Sequence, residues 1–300
     1  MPDRRSSNYS TKDGAMDLAK APLITRLGCT TATFGRRLPE KLQAMKQAGF
    51  VATEFFPRDL FEDPRGPDYC VDMVRDSGLA ISAYQALRDY EGMPVRQRDH
   101  VLGIAEQMMD QMAWLGAELL VLCANIHPEA SPDRPRCVAD LRRLAELAQS
   151  RGMRIAYEPI GWARWFSDYR EAWRLVQEVN HPCMGLALDS LHVAAHGLPL
   201  DGLDAIDPEK VFLVQLCDWP QTRLPPFEIA RHYRLFPGEG VGPIKAFFDY
   251  FQRMGYRGVY SVEIMNDHYQ HDDPMAVARR AVNATLGLAT AELSVTDRAN

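Results

Sequence analysis

The stretch from Ile155 to Asn266 contains IAYE (155–158), LALD (186–189), FLVQ (212–215) and YSVE (260–263). Each is a short apolar run ending in a polar side chain: Glu158, Asp189, Gln215 and Glu263. Runs of this length and composition read as buried parallel strands, and each is followed by a loop and then a helical pattern. The polar groups therefore sit at the carboxyl ends of strands, the edge where α/β folds bind their ligands. Three carboxylates and one amide from four strands form an oxygen-rich set suited to a divalent cation. Two carboxylates about 4 Å apart repel by about 4 kcal/mol at an effective dielectric of about 20. Three converging carboxylates would thus oppose folding on the scale of a whole domain's stability unless a cation joins them.

Outward from this stretch the alternation continues. Further strands are predicted to begin near Ile24, Val51, Ile81 and Glu118, and those in the decisive stretch near Arg154, Met184, Val211 and Gly258. Between them run helical patterns such as LPEKLQAMKQAG (38–49) and CVADLRRLAELAQSRG (137–152). Most close on a glycine (Gly49, Gly78, Gly116, Gly152, Gly255), the residue suited to a left-handed helix cap. Eight βα units with a polar C-terminal edge predict a single-domain TIM barrel, with a doubly wound open sheet as the alternative. The barrel is expected over residues 23–290. Residues 1–22 are polar and aperiodic and read as a loose tail, as do residues 291–300. The interval before the last strand is longer than the others and places an insertion, Trp219 to Gly242, on the loaded face as a lid or binding loop. Its glycines, Gly238, Gly240 and Gly242, read as a tight turn in preference to a phosphate nest.

Composition bounds the function. Hydrophobic residues at 46% and charged residues at 25% are those of an ordinary globular chain. A net charge of −6 speaks against a nucleic-acid partner, and no apolar run is long enough for a membrane span. The six cysteines show no C-x-x-C spacing, and the start lacks a signal segment, so reduced thiols and a cytoplasmic location are expected. Thirteen methionines and several aromatics on helix faces suit either a core or the contact of a homo-oligomer.

Other residues are candidates for chemistry. His192 lies three residues past Asp189, where its imidazole can turn over the cavity mouth for proton transfer. Arg88 follows the third strand, and Arg231 and His232 stand on the insertion; arginine is the side chain best suited to a bidentate grip on a carboxylate. Asn125, after the fourth strand, is placed to orient a substrate oxygen or simply to make a turn, and Tyr84, Trp162, Trp165 and Trp219 are candidates for the pocket wall. Glu54 reads as a structural partner of Arg58.

The segments YEPIGW, GLALDSLH, VFLVQLCDWP, RHYRLFPGEG and GYRGVYSVEIMND, with RDYEGMP upstream, resemble the xylose-isomerase-like barrel superfamily of sugar phosphate isomerases and epimerases, and within it the bacterial 3-dehydroshikimate dehydratases. The resemblance covers roughly residues 27–288. It implies a lyase that converts 3-dehydroshikimate to protocatechuate and water through a metal-stabilised enolate. It also implies one divalent ion, Mn²⁺ or Mg²⁺ with Co²⁺ as a substitute, held by Glu158, Asp189, Gln215 and Glu263. His192, Glu158 and Glu263 are then the expected catalytic residues. Arg88, Arg231, His232, Asn125 and Tyr84 are expected to bind a small anionic polyhydroxylated substrate. The loop Pro159 to Arg164 and Leu191 depart from the family pattern, and larger relatives append a dioxygenase-like domain not expected in these residues. The alternative is a sugar or inosose isomerase or epimerase sharing the metal–enediolate step. A non-catalytic binding protein is a third reading, and an endonuclease is disfavoured by the acidic balance and the lack of a His-rich ligand set.

Overall fold

The computed structural model describes residues 23–194 and 197–290; both expected tails lie outside the described residues. Eight parallel strands close into a barrel in sequence order: β1 Leu27–Thr30, β2 Ala52–Phe55, β3 Ala80–Leu87, β4 Leu119–Cys123, β5 Arg154–Glu158, β6 Met184–Asp189, β7 Val211–Leu216 and β8 Tyr260–Val262. The TIM barrel is thus the observed fold, and the open sheet is excluded because β1 pairs with β8 as well as with β2. The expected strand starts lie within a few residues of those observed. The largest differences are at β1, where Leu23–Arg26 winds as a 3₁₀ turn, and at β8, which begins at Tyr260.

The expected helices form, among them Leu38–Ala48, Pro67–Ser77, Arg98–Leu115, Arg134–Ser150, Tyr169–Val179 and Ile244–Arg253. Gly49 ends the first at φ +103°, its N–H returned to the Lys46 and Met45 carbonyls, as the left-handed cap requires. No helix among the described residues is long and apolar enough to cross a membrane. The described cysteines are all free thiols.

A strand's side chains alternate between the barrel interior and the helix layer, and this period of two positions the site. Ala83, Leu119, Val121, Ala156, Ala187 and Leu213 form a separate small cluster, the plug of the barrel. Two residues further along the same strands the inward positions become Gln85, Cys123, Glu158, Asp189 and Gln215, all buried. The other parity carries Tyr84, Leu120, Leu122, Ile155, Tyr157, Leu186, Leu188 and Val214 into the main core between strands and helices.

The insertion after β7 folds back on the barrel. It contains the helix Pro226–His232 and is pinned by antiparallel bridges between Asp218 and Leu235 and between Tyr233 and Asn266. Its glycine turn does hold an anion, but an internal one. Gly240 and Gly242 donate their N–H groups to the two oxygens of Asp218 at 2.9 and 2.8 Å, so the nest is filled by the protein's own carboxylate.

Candidate metal and substrate site

At the C-terminal mouth of the barrel a pocket open to solvent is lined by Glu158, Glu263, His192 and Cys123 together with Arg88, Arg231, Trp162 and Met265. Asp189 and Gln215 are buried beside it, and they are opposed residues of the β6–β7 ladder. Glu158, Asp189 and His192 each offer a ligand atom within 4.8 Å of the others. His192 Nε2 lies 3.7 Å from Glu158 Oε1 and 4.0 Å from Asp189 Oδ2.

Glu263 is joined to this group through Arg234. The Arg234 Nη1 donates to Asp189 Oδ2 at 2.6 Å and to Glu263 Oε2 at 2.9 Å, while Nε donates to the Ala230 carbonyl at 2.9 Å. Its backbone is fixed by Arg234 N–H to Met265 O at 3.2 Å and by Asn266 Nδ2 to Arg234 O at 2.9 Å. Sequence reasoning passed over Arg234 in favour of its neighbours Arg231 and His232. Tyr233 faces out at 41% exposure, and Arg234 beside it turns in at 2%.

Several sequence expectations are corrected here. His232 does not line the cavity; its Nδ1 lies 3.0 Å from Asp267 at the rim. Tyr84 has the wrong parity for the pocket and points into the helix layer, where its hydroxyl bonds Gln111 and its ring stacks on Phe55. Asn125 makes the turn: its Nδ2 donates to the Glu91 carbonyl at 2.7 Å and its Oδ1 accepts from His127 N–H at 2.7 Å, and it does not line the pocket. Of the tryptophans only Trp162 walls the cavity, edge-on to His192 with ring centroids 5.0 Å apart. Trp165 donates instead to the Ala130 carbonyl. Glu54 is not paired with Arg58, which reaches Glu62 on the surface. It points into the barrel and accepts from Gln85 Nε2 at 2.8 Å and Gln215 Nε2 at 2.9 Å, both on Oε2.

The electrostatics of the cluster are those of surplus negative charge. Burial pushes Glu54 up to about 8, with Glu158 adding to the effect. Burial followed by repulsion from Asp189 raises Glu158, and burial raises Glu263 well above the usual range although Arg234 opposes it. Burial also works against the Asp189 anion, but Arg234 and His192 outweigh it and hold this carboxyl at about 2. The buried Arg234 guanidinium opposes the rise at Glu158 and Glu263 and keeps Asp189 ionised. His192 is lowered to about 4, first by burial and then by the nearby arginines, so its ring is neutral at pH 7. Its Nδ1 accepts the Gly161 N–H at 3.4 Å, which assigns the ring hydrogen to Nε2, facing the carboxylates.

These residues fit a divalent cation. The Gln215 Oε1 is buried with no hydrogen-bond partner among the described residues, an expensive state that a cation would relieve. The carboxyls raised by burial and mutual repulsion would be held ionised by the same charge. All-oxygen donors from Glu158, Asp189, Gln215 and Glu263 match a hard ion. The His192 Nε2 hydrogen faces Glu158 and Asp189, at 3.7 and 4.0 Å.

Comparison with known proteins follows the geometry. A family model described as "Xylose isomerase-like TIM barrel" matches residues 42–285. The 3-dehydroshikimate dehydratase of Pseudomonas putida is 37% identical over 240 residues, 80% of this chain and 38% of that protein. The inosose isomerase of Bacillus subtilis is 28% identical over 130 residues, 43% of this chain and 46% of its own. A solved xylose isomerase-like TIM barrel/4-hydroxyphenylpyruvate dioxygenase fusion protein superposes with a TM-score of 0.85 at 35% identity, covering 88% of this chain and 42% of that one. The chain thus spans about two-fifths of the length of the dehydratase it matches.

Proposed function

The chain belongs to the xylose isomerase-like TIM barrel family, and from that premise we propose that it is a divalent-metal lyase dehydrating 3-dehydroshikimate to protocatechuate. The observation that carries the reading is a single pocket lined both by carboxylates and by arginines. Glu158 and Glu263 line it together with Arg88 and Arg231, and Gln215 Oε1 is buried with no partner among the described residues. The carboxylates suit a cation and the arginines an anion. A small polyhydroxylated carboxylate is a substrate that would use both. The 37% identity to a protein named for this reaction supports the same choice.

Glu158, Asp189, Gln215 and Glu263 would hold the ion, Mn²⁺ or Mg²⁺ by the hardness of the donors. When bound, it supplies Lewis-acid polarisation of the substrate carbonyl and an adjacent hydroxyl. The remaining work falls to the chain. Arg88 and Arg231 bind the substrate carboxylate, and Trp162 closes the side of the pocket against His192. Arg231 is half desolvated and lies near Arg88, and both effects lower its pKa, so an arriving carboxylate relieves a repulsion already present. Arg234 fixes the orientation of Asp189 and Glu263. Glu158 or Glu263 accepts the α-proton as the C–H bond breaks, the electron pair left behind expels the β-hydroxyl, and the Nε2 hydrogen of His192 converts the departing hydroxide to water. The carboxyl then returns its proton to Nε2, and a shift of one more ring C–H proton to the ketone oxygen completes the aromatic ring. Glu158 Oε1 lies 3.7 Å from Nε2.

Incubating Mn²⁺-loaded protein with 3-dehydroshikimate and following the ultraviolet absorbance of protocatechuate tests the reading. Absorbance should grow and cease on chelation. The isomerase relatives favour a second reading, an inosose or sugar isomerase, which returns the proton to the substrate and expels nothing. No aromatic product, together with turnover of an inosose, would replace the first reading with the second.

A further inference from the structure

An amide is a two-faced ligand: one end offers an oxygen lone pair, the other two N–H groups, and the wrong end repels a cation. Gln215 stands at the end of β7 among buried carboxyls, so a rotation of its side chain by half a turn would change an oxygen donor into a competitor for the same carboxylates. Which end faces the cavity is decided by Glu54. The Gln215 Nε2 donates to Glu54 Oε2 at 2.9 Å, and Gln85 Nε2 donates to the same oxygen at 2.8 Å. Two N–H donors on one oxygen require that oxygen to be an acceptor, and the Glu54 side chain supplies it. Glu54, Gln85 and Gln215 come from β2, β3 and β7, and β2 and β7 are not hydrogen-bonded neighbours, so the contact spans the barrel interior. All three side chains are buried, at 0%, 3% and 0% exposure. On the far side of the same amide Oε1 has no hydrogen-bond partner among the described residues.

We propose that Glu54 is a positioning residue: it holds the Gln215 amide with Nε2 toward β2 so that Oε1 is presented for metal binding. This rests on the reading of Gln215 as a metal ligand. Glu54 itself touches neither substrate nor ion, and acts through Gln215.

The test is calorimetric titration of the full chain with Mn²⁺ alone, with circular dichroism to verify folding. Wild type should bind one ion, and Gln215→Leu should weaken it. Glu54→Leu, which removes the accepting oxygen, should raise Kd about 10–100-fold, the usual cost of losing an outer partner of a ligand. In a Gln215→Glu background the same Glu54→Leu change should leave Kd nearly unaltered, because a carboxylate presents oxygen whichever way it turns. Glu54→Asp keeps the charge but withdraws the oxygen by a methylene; it should weaken Mn²⁺ in the same direction, and it reads the proposal independently if Glu54→Leu does not fold. Equal losses in the wild-type and Gln215→Glu backgrounds, or an unaltered Kd in Glu54→Asp, would mark Glu54 as a bare charge or a packing residue and overturn the inference while leaving the metal site standing. Wild type that takes up no Mn²⁺, or Gln215→Leu that binds as well as wild type, would overturn the metal reading and this inference together.

Discussion

Arg234 meets Asp189 at 2.6 Å inside the barrel, 45 residues apart in the chain and both essentially without solvent. The pair is one arm of a bridge whose other arm reaches Glu263 at 2.9 Å. Removing one partner of a buried pair leaves uncompensated charge, which typically costs about 3–5 kcal/mol. Arg234→Met is therefore expected to destabilise the metal-free protein by about that amount in urea unfolding. Saturating Mn²⁺ should recover much of it by supplying the missing positive charge. A variant as stable as wild type without metal would show that the bridge contributes nothing net.

The role of His192 separates two descriptions of the same cluster. Its position with Glu158 and Asp189 suits a ligand, whereas the Gly161 N–H on Nδ1 suits a proton carrier. His192→Asn is expected to lower kcat about 10²–10⁴-fold, the usual size of a lost acid–base group. Bound metal, measured by elemental analysis, should stay at wild-type stoichiometry. Loss of the ion along with the activity would make the imidazole a ligand.

How far the sequence spoke for itself can be traced residue by residue. Alternation with period two brings Glu158, Asp189 and Gln215 to the barrel interior, because each ends a strand whose inward parity is fixed by apolar residues two positions earlier, Ala156, Ala187 and Leu213. The same rule, applied strictly, would have sent Tyr84 outward. Ala83 and Gln85 are inward, so Tyr84 cannot be. Glu54 was obscured by a nearby opposite charge: Arg58, four residues on, suggested a local pair, but Arg58 lies beyond the strand on a surface helix and takes Glu62. Arg234 was beyond reach for a different reason. Its direction is set by a ladder between an insertion and the segment after β8, a tertiary contact with no local period to announce it.

The two cavity arginines carry a prediction about specificity. Hydrogen bonds to charged groups contribute about 1.5–3 kcal/mol, about 10–150-fold in binding. Arg88→Leu and Arg231→Leu are each expected to raise KM for a carboxylated substrate within that range while changing kcat less. Binding of an uncharged inosose, which has no carboxylate to grip, should hardly respond. Equal weakening of both ligands would mean that the arginines organise the pocket and do not read the carboxylate.

Glu91 gives a pH prediction away from the proposed ligands. Its Oε1 accepts from Asn125 N–H and from the Tyr157 hydroxyl, each at 2.8 Å, and its Oε2 is buried with no partner among the described residues. Burial outweighs both bonds and lifts the carboxyl from 4.5 to about 7. A folded-state pKa above the unfolded one means that the native protein binds the extra proton between these values. The resulting stability is fully present below pH 4.5 and is lost as pH rises through about 7. At about 1.4 kcal/mol per unit the whole effect is at most about 3.5 kcal/mol. Glu91→Gln keeps the accepting oxygen and removes the ionisation, so between about pH 5 and pH 8 the variant should gain on wild type by up to that amount. Urea unfolding in chelator at the two pH values measures the difference, and parallel pH profiles for the two proteins would show that Glu91 is already ionised in the fold.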